Sequence, residues 1–118
     1  MKDITEIAVL GMGNIGSEFV EILQHQLPEI EYITNQKIKI SKILVTNLNK
    51  ERNVQIKQNI ITTNSDEIFN NKNISIVIEI MGGIDPAFEY VSKCLESNKS
   101  VITANKDLIA THGKNLFQ

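Results

Sequence analysis

Ile7-Ala8-Val9-Leu10-Gly11-Met12-Gly13-Asn14-Ile15-Gly16 joins a continuous apolar run to three glycines in the spacing GxGxxG. The run Ile7 to Leu10 reads as a strand buried on both faces. After Gly16, the apolar positions Phe19, Val20, Ile22, Leu23 and Leu27 fall at helical spacing, and Pro28 predicts the end of that helix. Strand, glycine loop and helix in this order give the motif its meaning. Gly11 permits the tight turn, Gly13 lets a pyrophosphate approach the backbone, and Gly16 lets helix and strand pack closely. The helix amino end then offers unpaired N–H groups and partial positive charge to the phosphates. A plain three-glycine turn is the competing reading, and the flanking elements argue against it. The ATP-type loop GxxxxGK[ST] is absent, since Ser17-Glu18 follows Gly16. The loop therefore predicts a dinucleotide, with Gly11, Met12, Gly13, Asn14, Ile15 and Gly16 around its phosphates.

Working outward, the polar stretch Glu29 to Lys37 reads as a connection, and Ile38, Ile40, Ile43, Leu44 and Val45 as a second strand ending near Thr46-Asn47. Ile60 to Thr63 is a short third strand. Ser65-Asp66-Glu67 supplies a capping hydroxyl and two acids for a short helix to about Asn71. Ile74 to Ile80 carries five isoleucine or valine residues and ends at Met81-Gly82-Gly83, as a buried central strand with a glycine turn would. Asp85-Pro86 starts another helix: the aspartate caps free N–H groups and proline occupies the first turn. Ala87, Val91, Cys94 and Leu95 form its apolar stripe. Ser100 to Ile102 is a further strand, Thr103-Ala104-Asn105-Lys106 its loop, and Asp107 onward resumes helical character. The order predicts an α/β fold, a doubly wound, mostly parallel sheet with helices on both faces, Rossmann-like.

The 118 residues suit one domain, 1–118, and the chain reads as cut from something longer, its substrate domain lying beyond. Hydrophobic content of 42% with 22% charged residues is globular, and a net charge of −2 offers no field for nucleic acid. No apolar run has bilayer length, and the amino end lacks a signal-peptide core. The expectation is a cytoplasmic protein with neither nucleic acid nor membrane as partner. One cysteine, Cys94, agrees with a reducing compartment. It falls on an apolar helical stripe without a positioned histidine, so a core cysteine is favoured over a nucleophile. His25 and His112 show no metal-ligand spacing, and no metal is expected. Glu79 ends a buried strand and can hydrogen-bond within the fold or near the cofactor; the structural role is favoured.

In NAD-specific folds an acid ends the second strand and takes the adenosine ribose. Here Thr46-Asn47 stand there, with Lys50 and Arg52 following. An uncharged end does not repel a 2'-phosphate, Arg52 is near enough in sequence to meet one, and Asn47 can still hydrogen-bond a ribose hydroxyl. NADP and NAD both stay open, as does a solvated loop for the two cations.

The distal half narrows the reading. IVIEIMGGIDPAFEYVSKCLESNKSVITANKDLIATHG (76–113) resembles homoserine dehydrogenases, which carry a V-[IV]-E-x-[IM]-G-G turn and a T-[AP]-N-K loop at the same separation; GMGNIGSEFVEIL (11–23) extends the likeness over essentially the whole chain. The resemblance implies NAD(P)-dependent interconversion of L-homoserine and L-aspartate 4-semialdehyde in threonine and methionine biosynthesis, in an enzyme that is a homo-oligomer when full length. It implies that Met81, Gly82 and Gly83 border the cofactor, that Thr103 and Asn105 bond near the nicotinamide ribose, and that Lys106 belongs to cofactor binding and to the catalytic machinery. An ammonium at Lys106 would stabilise developing alkoxide charge. As a surface residue opening a helix it would oppose the helix dipole. The substrate's own ligands would come from the later domain. The alternative is a stand-alone dinucleotide-binding or sensor module without catalysis. Glucose-fructose-oxidoreductase-like proteins carry E-K-P at the T-A-N-K position and fit less well.

Overall fold

Alternation along the first strand explains why its sequence is apolar throughout. In β1 (Ile4–Leu10), Ile7 and Val9 point into one core layer while Ala8 and Leu10 point into another, and all four are buried. A strand covered on both faces has no side left for polar residues. The structure is a computed structural model that describes residues 3–11, 14–45, 60–81, 87–103 and 110–111, with only the backbone of residues 14–17. Its sheet is parallel throughout, in the order β3-β2-β1-β4-β5, with β2 (Lys37–Leu44), β3 (Ile61–Thr62), β4 (Ile74–Glu79) and β5 (Ser100–Thr103). The expected mostly parallel, doubly wound architecture is what forms.

Helices cover both faces. From α1 (Asn14–Thr34), Phe19, Val20 and Leu23 pack with Ile7, Val9, Ile40 and Ile43. On the opposite face, Ile68 and Phe69 of α2 (Asp66–Phe69) and Cys94 of α3 (Ala87–Glu96) pack with Ala8, Leu10, Leu44 and Val77. Each fully buried aliphatic side chain in these layers contributes roughly 1.5–3 kcal/mol. Ile40 and Ile43 share one layer although three residues apart, because the β1–β2 register shifts from Ile7↔Ile40 to Ala8↔Lys42, which leaves Ser41 as an extra residue.

Three local expectations need correction. Pro28 does not end α1, and Glu29 to Lys37 is mostly helix: α1 runs to Thr34 with the proline inside. Leu27 and Ile30 continue the half-buried stripe begun by Leu23, so tertiary packing offsets the lost hydrogen bond. The stop signal is Asn35, at φ 56°, the left-handed conformation that ends helices and that asparagine tolerates. Ile22, placed on the apolar stripe, is 60% exposed. Ser65 makes no side-chain capping bond; the Asp66 N–H instead donates to Asn64 Oδ1 at 3.0 Å. Asn98, at φ 62°, closes α3 as Asn35 closes α1.

One buried cation was not anticipated. Lys99 is 5% exposed, and its Nζ donates to the carbonyls of Asn71 (2.6 Å) and Ile74 (2.8 Å), tying the start of β5 to the start of β4. Among the described residues no helix is long and apolar enough to cross a membrane.

Candidate cofactor site

The site is assembled where the parallel strands end together. The Gly11 N–H donates to Leu44 C=O (2.9 Å), the Ile80 N–H to Leu10 C=O (3.1 Å) and the Val45 N–H to Thr62 C=O (2.8 Å), so the carboxyl ends of four strands are laced at one edge. Open parallel sheets bind ligands at this edge.

Gly11 is required there twice over. Its φ of +94° is strained for any residue with a side chain, and a Cβ would lie 3.1 Å from both Cα and Cγ of Met81. The tight turn expected from the sequence is therefore also a close crossing of the glycine loop over the end of β4. Past it, α1 opens at Asn14 and runs 21 residues with no acid in its first turn. The dipole of a helix with no acid in its first turn favours an anion at this end. The geometry fits a dinucleotide whose pyrophosphate rests on this helix end.

On the other side, Glu79 is fully buried at the end of β4. Its Oε2 accepts the Met81 N–H at 2.7 Å and its Oε1 accepts the Thr103 hydroxyl at 2.6 Å. The structural role favoured for Glu79 from the sequence is thus joined to the other role it left open, a place at the cofactor edge. The signal was a lone acid in an isoleucine-valine strand, two residues before the double-glycine turn begins. The structure thus brings together Gly11, Met81 and Thr103, with Glu79 between the last two. Met12, Gly13, Asn47, Lys50, Arg52, Gly82, Gly83, Asp85, Pro86, Asn105, Lys106 and His112 lie outside the described residues, as do the side chains of Asn14 and Ile15.

Cys94 is a core residue: it is fully buried, and burial pushes its thiol from 9.0 to about 11, only partly opposed by the charge of Lys99. A raised thiol pKa stabilises the fold below the unfolded value and loses that contribution as pH rises to the folded one. Between pH 9.0 and about 11, wild type should therefore lose about 2–3 kcal/mol of stability that Cys94→Ala does not lose. Urea unfolding of both across this range checks it; parallel pH curves would contradict the assignment. Among the described residues no group of three or more His, Cys, Asp or Glu is placed to hold a metal ion.

Comparison with known proteins decides the family. A family model described as homoserine dehydrogenase, NAD binding domain, matches residues 11–118. The chain belongs to that family. The homoserine dehydrogenase of Bacillus subtilis is 34% identical over 99% of this chain and 27% of its own length. That of Lactococcus lactis is 36% identical over 93% of this chain and 26% of its own. A crystal structure of Staphylococcus aureus homoserine dehydrogenase at pH 8.5 superposes with a TM-score of 0.90 at 39% identity, covering 98% of this chain and 29% of that one. The chain thus spans about a quarter of the length of the homoserine dehydrogenases it matches, in their NAD(P)-binding part.

Proposed function

We propose that this chain is the dinucleotide-holding part of an enzyme that interconverts L-homoserine and L-aspartate 4-semialdehyde. The observation that carries the reading is the meeting of the Gly11 turn, the α1 amino end, Met81 and Thr103 at one sheet edge, in a chain of the homoserine dehydrogenase family. A dinucleotide held there would supply the hydride acceptor or donor that interconverts alcohol and aldehyde. Gly11, Met12, Gly13, Asn14, Ile15 and Gly16 hold its pyrophosphate against the helix dipole. Asn47 and Arg52 take the adenosine ribose, and Val45-Thr46-Asn47 carries no acid to repel the 2'-phosphate of NADP. Met81, Gly82 and Gly83 border the nicotinamide half, Asn105 bonds its ribose, and Thr103 stands beside that ribose with its hydroxyl given to Glu79. Lys106 places an ammonium beside the reacting oxygen and stabilises the charge that develops as the proton leaves. The ligands for the substrate's own carboxylate and ammonium belong to a further domain.

Calorimetric titration with both cofactors tests this. Binding of NADP or NAD is expected, with NADP not more than about tenfold weaker, and no homoserine-dependent reduction of cofactor by the 118-residue chain. No heat with either cofactor would favour a module that has lost binding, and turnover by this chain alone would refute the two-domain reading. In an enzyme completed by the substrate domain, Lys106→Met should lower kcat about a hundredfold. Undiminished kcat would remove Lys106 from the chemistry.

A further inference from the structure

We propose that Glu79 is a positioning residue of the cofactor site, a buried clamp whose carboxyl group ties the end of β4 to the end of β5. The inference rests on the dinucleotide reading above and deepens it. Each carboxyl oxygen takes one partner: Oε2 the Met81 N–H at 2.7 Å, Oε1 the Thr103 hydroxyl at 2.6 Å. These partners begin the two segments that distinguish the sequence, Met81-Gly82-Gly83 and Thr103-Ala104-Asn105-Lys106.

The backbone ladder shows why a side chain is needed. Among the described residues, the bond nearest the end of β4 that reaches β1 is Ile80 N–H to Leu10 C=O, and Glu79 is the last residue of β4 in register with β5, opposite Thr103. Among the described residues, the Met81 N–H beyond that point finds its acceptor in the Glu79 side chain. Met81 is also the residue whose Cα would lie 3.1 Å from a Cβ on Gly11, so what fixes Met81 fixes the wall against which the glycine loop turns. One buried group thereby sets three strand ends relative to each other.

Stability alone does not ask for an acid here. Glu79 is fully buried in a strand otherwise built of Ile74, Ile76, Val77 and Ile78, and an aliphatic residue at this place would avoid the desolvation of a carboxyl group. A residue that works against burial at the ligand-binding edge of a parallel sheet is explained by what it holds in place.

Glu79→Leu fills the volume, removes both acceptors and spares the desolvation. Glu79→Gln can rebuild both bonds, its carbonyl accepting from Met81 and its amide donating to the Thr103 hydroxyl. The two should separate affinity from stability. Titrating the 118-residue chain with NADPH by fluorescence, and checking the folded fraction by circular dichroism, we expect Glu79→Leu to bind about tenfold more weakly and Glu79→Gln within about threefold of wild type. We expect the double variant with Thr103→Val to bind no worse than Glu79→Leu alone, because both changes break one linkage. Wild-type affinity in folded Glu79→Leu overturns the clamp, and so does full additivity with Thr103→Val, which would give Thr103 an independent contact with the cofactor. If Glu79→Leu does not fold, Glu79→Met, which keeps the length of the side chain and removes both acceptors, carries the same additivity test with Thr103→Val. Wild-type chain that binds neither NADPH nor NADH overturns the dinucleotide reading itself, and the clamp with it; the two failures are told apart by the wild-type titration.

Discussion

Gly11→Ala is expected to unfold the chain at a markedly lower urea concentration and to abolish dinucleotide binding by whatever fraction stays folded. Two separate costs add at this position. At φ +94° an alanine must either hold a strained backbone or flip the peptide, and the strain is of the order of 1–3 kcal/mol. In addition, its Cβ would meet Met81 Cα and Cγ at 3.1 Å, nearer than comfortable packing, and the backbone cannot rotate away as a flexible side chain end would. Met81 is itself bonded to Glu79, and the Gly11 N–H to Leu44 C=O, so relief at one contact breaks another. The sum is a loss of about 2–4 kcal/mol. If Gly11→Ala unfolds within about 0.5 kcal/mol of wild type, neither the turn nor the crossing constrains this residue as described.

Lys99→Met should cost about 2–4 kcal/mol without touching the cofactor site. The methionine keeps the length and apolar stem of lysine but removes the donor that serves the carbonyls of Asn71 and Ile74. A buried acceptor left without its partner costs about 1–3 kcal/mol, and bonds from a charged donor are the stronger kind. Sparing the burial of an ammonium returns part of that, which keeps the net below the sum of two lost bonds. Equilibrium unfolding reads the stability, and calorimetry with NADP should give the wild-type Kd at temperatures where the variant is folded. A variant as stable as wild type would mean that water serves the two carbonyls equally well.

The contrast between these two positions shows what a reader of the sequence can find. Gly11 announces itself, because a glycine between a strand and a helix in GxGxxG has few other reasons to be there. Lys99 reads as an ordinary exposed lysine between Asn98 and Ser100, since nothing local reveals that two carbonyls more than twenty residues away converge on it. Glu79 falls between: its composition is odd for its strand, and only its partners give the oddity a purpose. Pro28 misleads in the opposite direction, because a rule about local hydrogen bonding was overridden by the half-burial of Leu27 and Ile30 along one side of the helix.

Periodicity alone determined the parallel α/β fold, since two-sided burial leaves apolar runs and helical spacing leaves stripes. The glycine loop alone determined the cofactor class, and the two distal motifs the family, because their residues are adjacent in sequence and need no folding to be recognised. Tertiary structure decided what those adjacencies cannot encode. It placed the Gly11 turn against Met81, ended α1 at Asn35 instead of Pro28, and gave two buried ionisable groups their partners. The physical reason is common to all of these: a hydrogen bond or close contact between distant segments depends on sheet order and register, which exist only after the chain has folded.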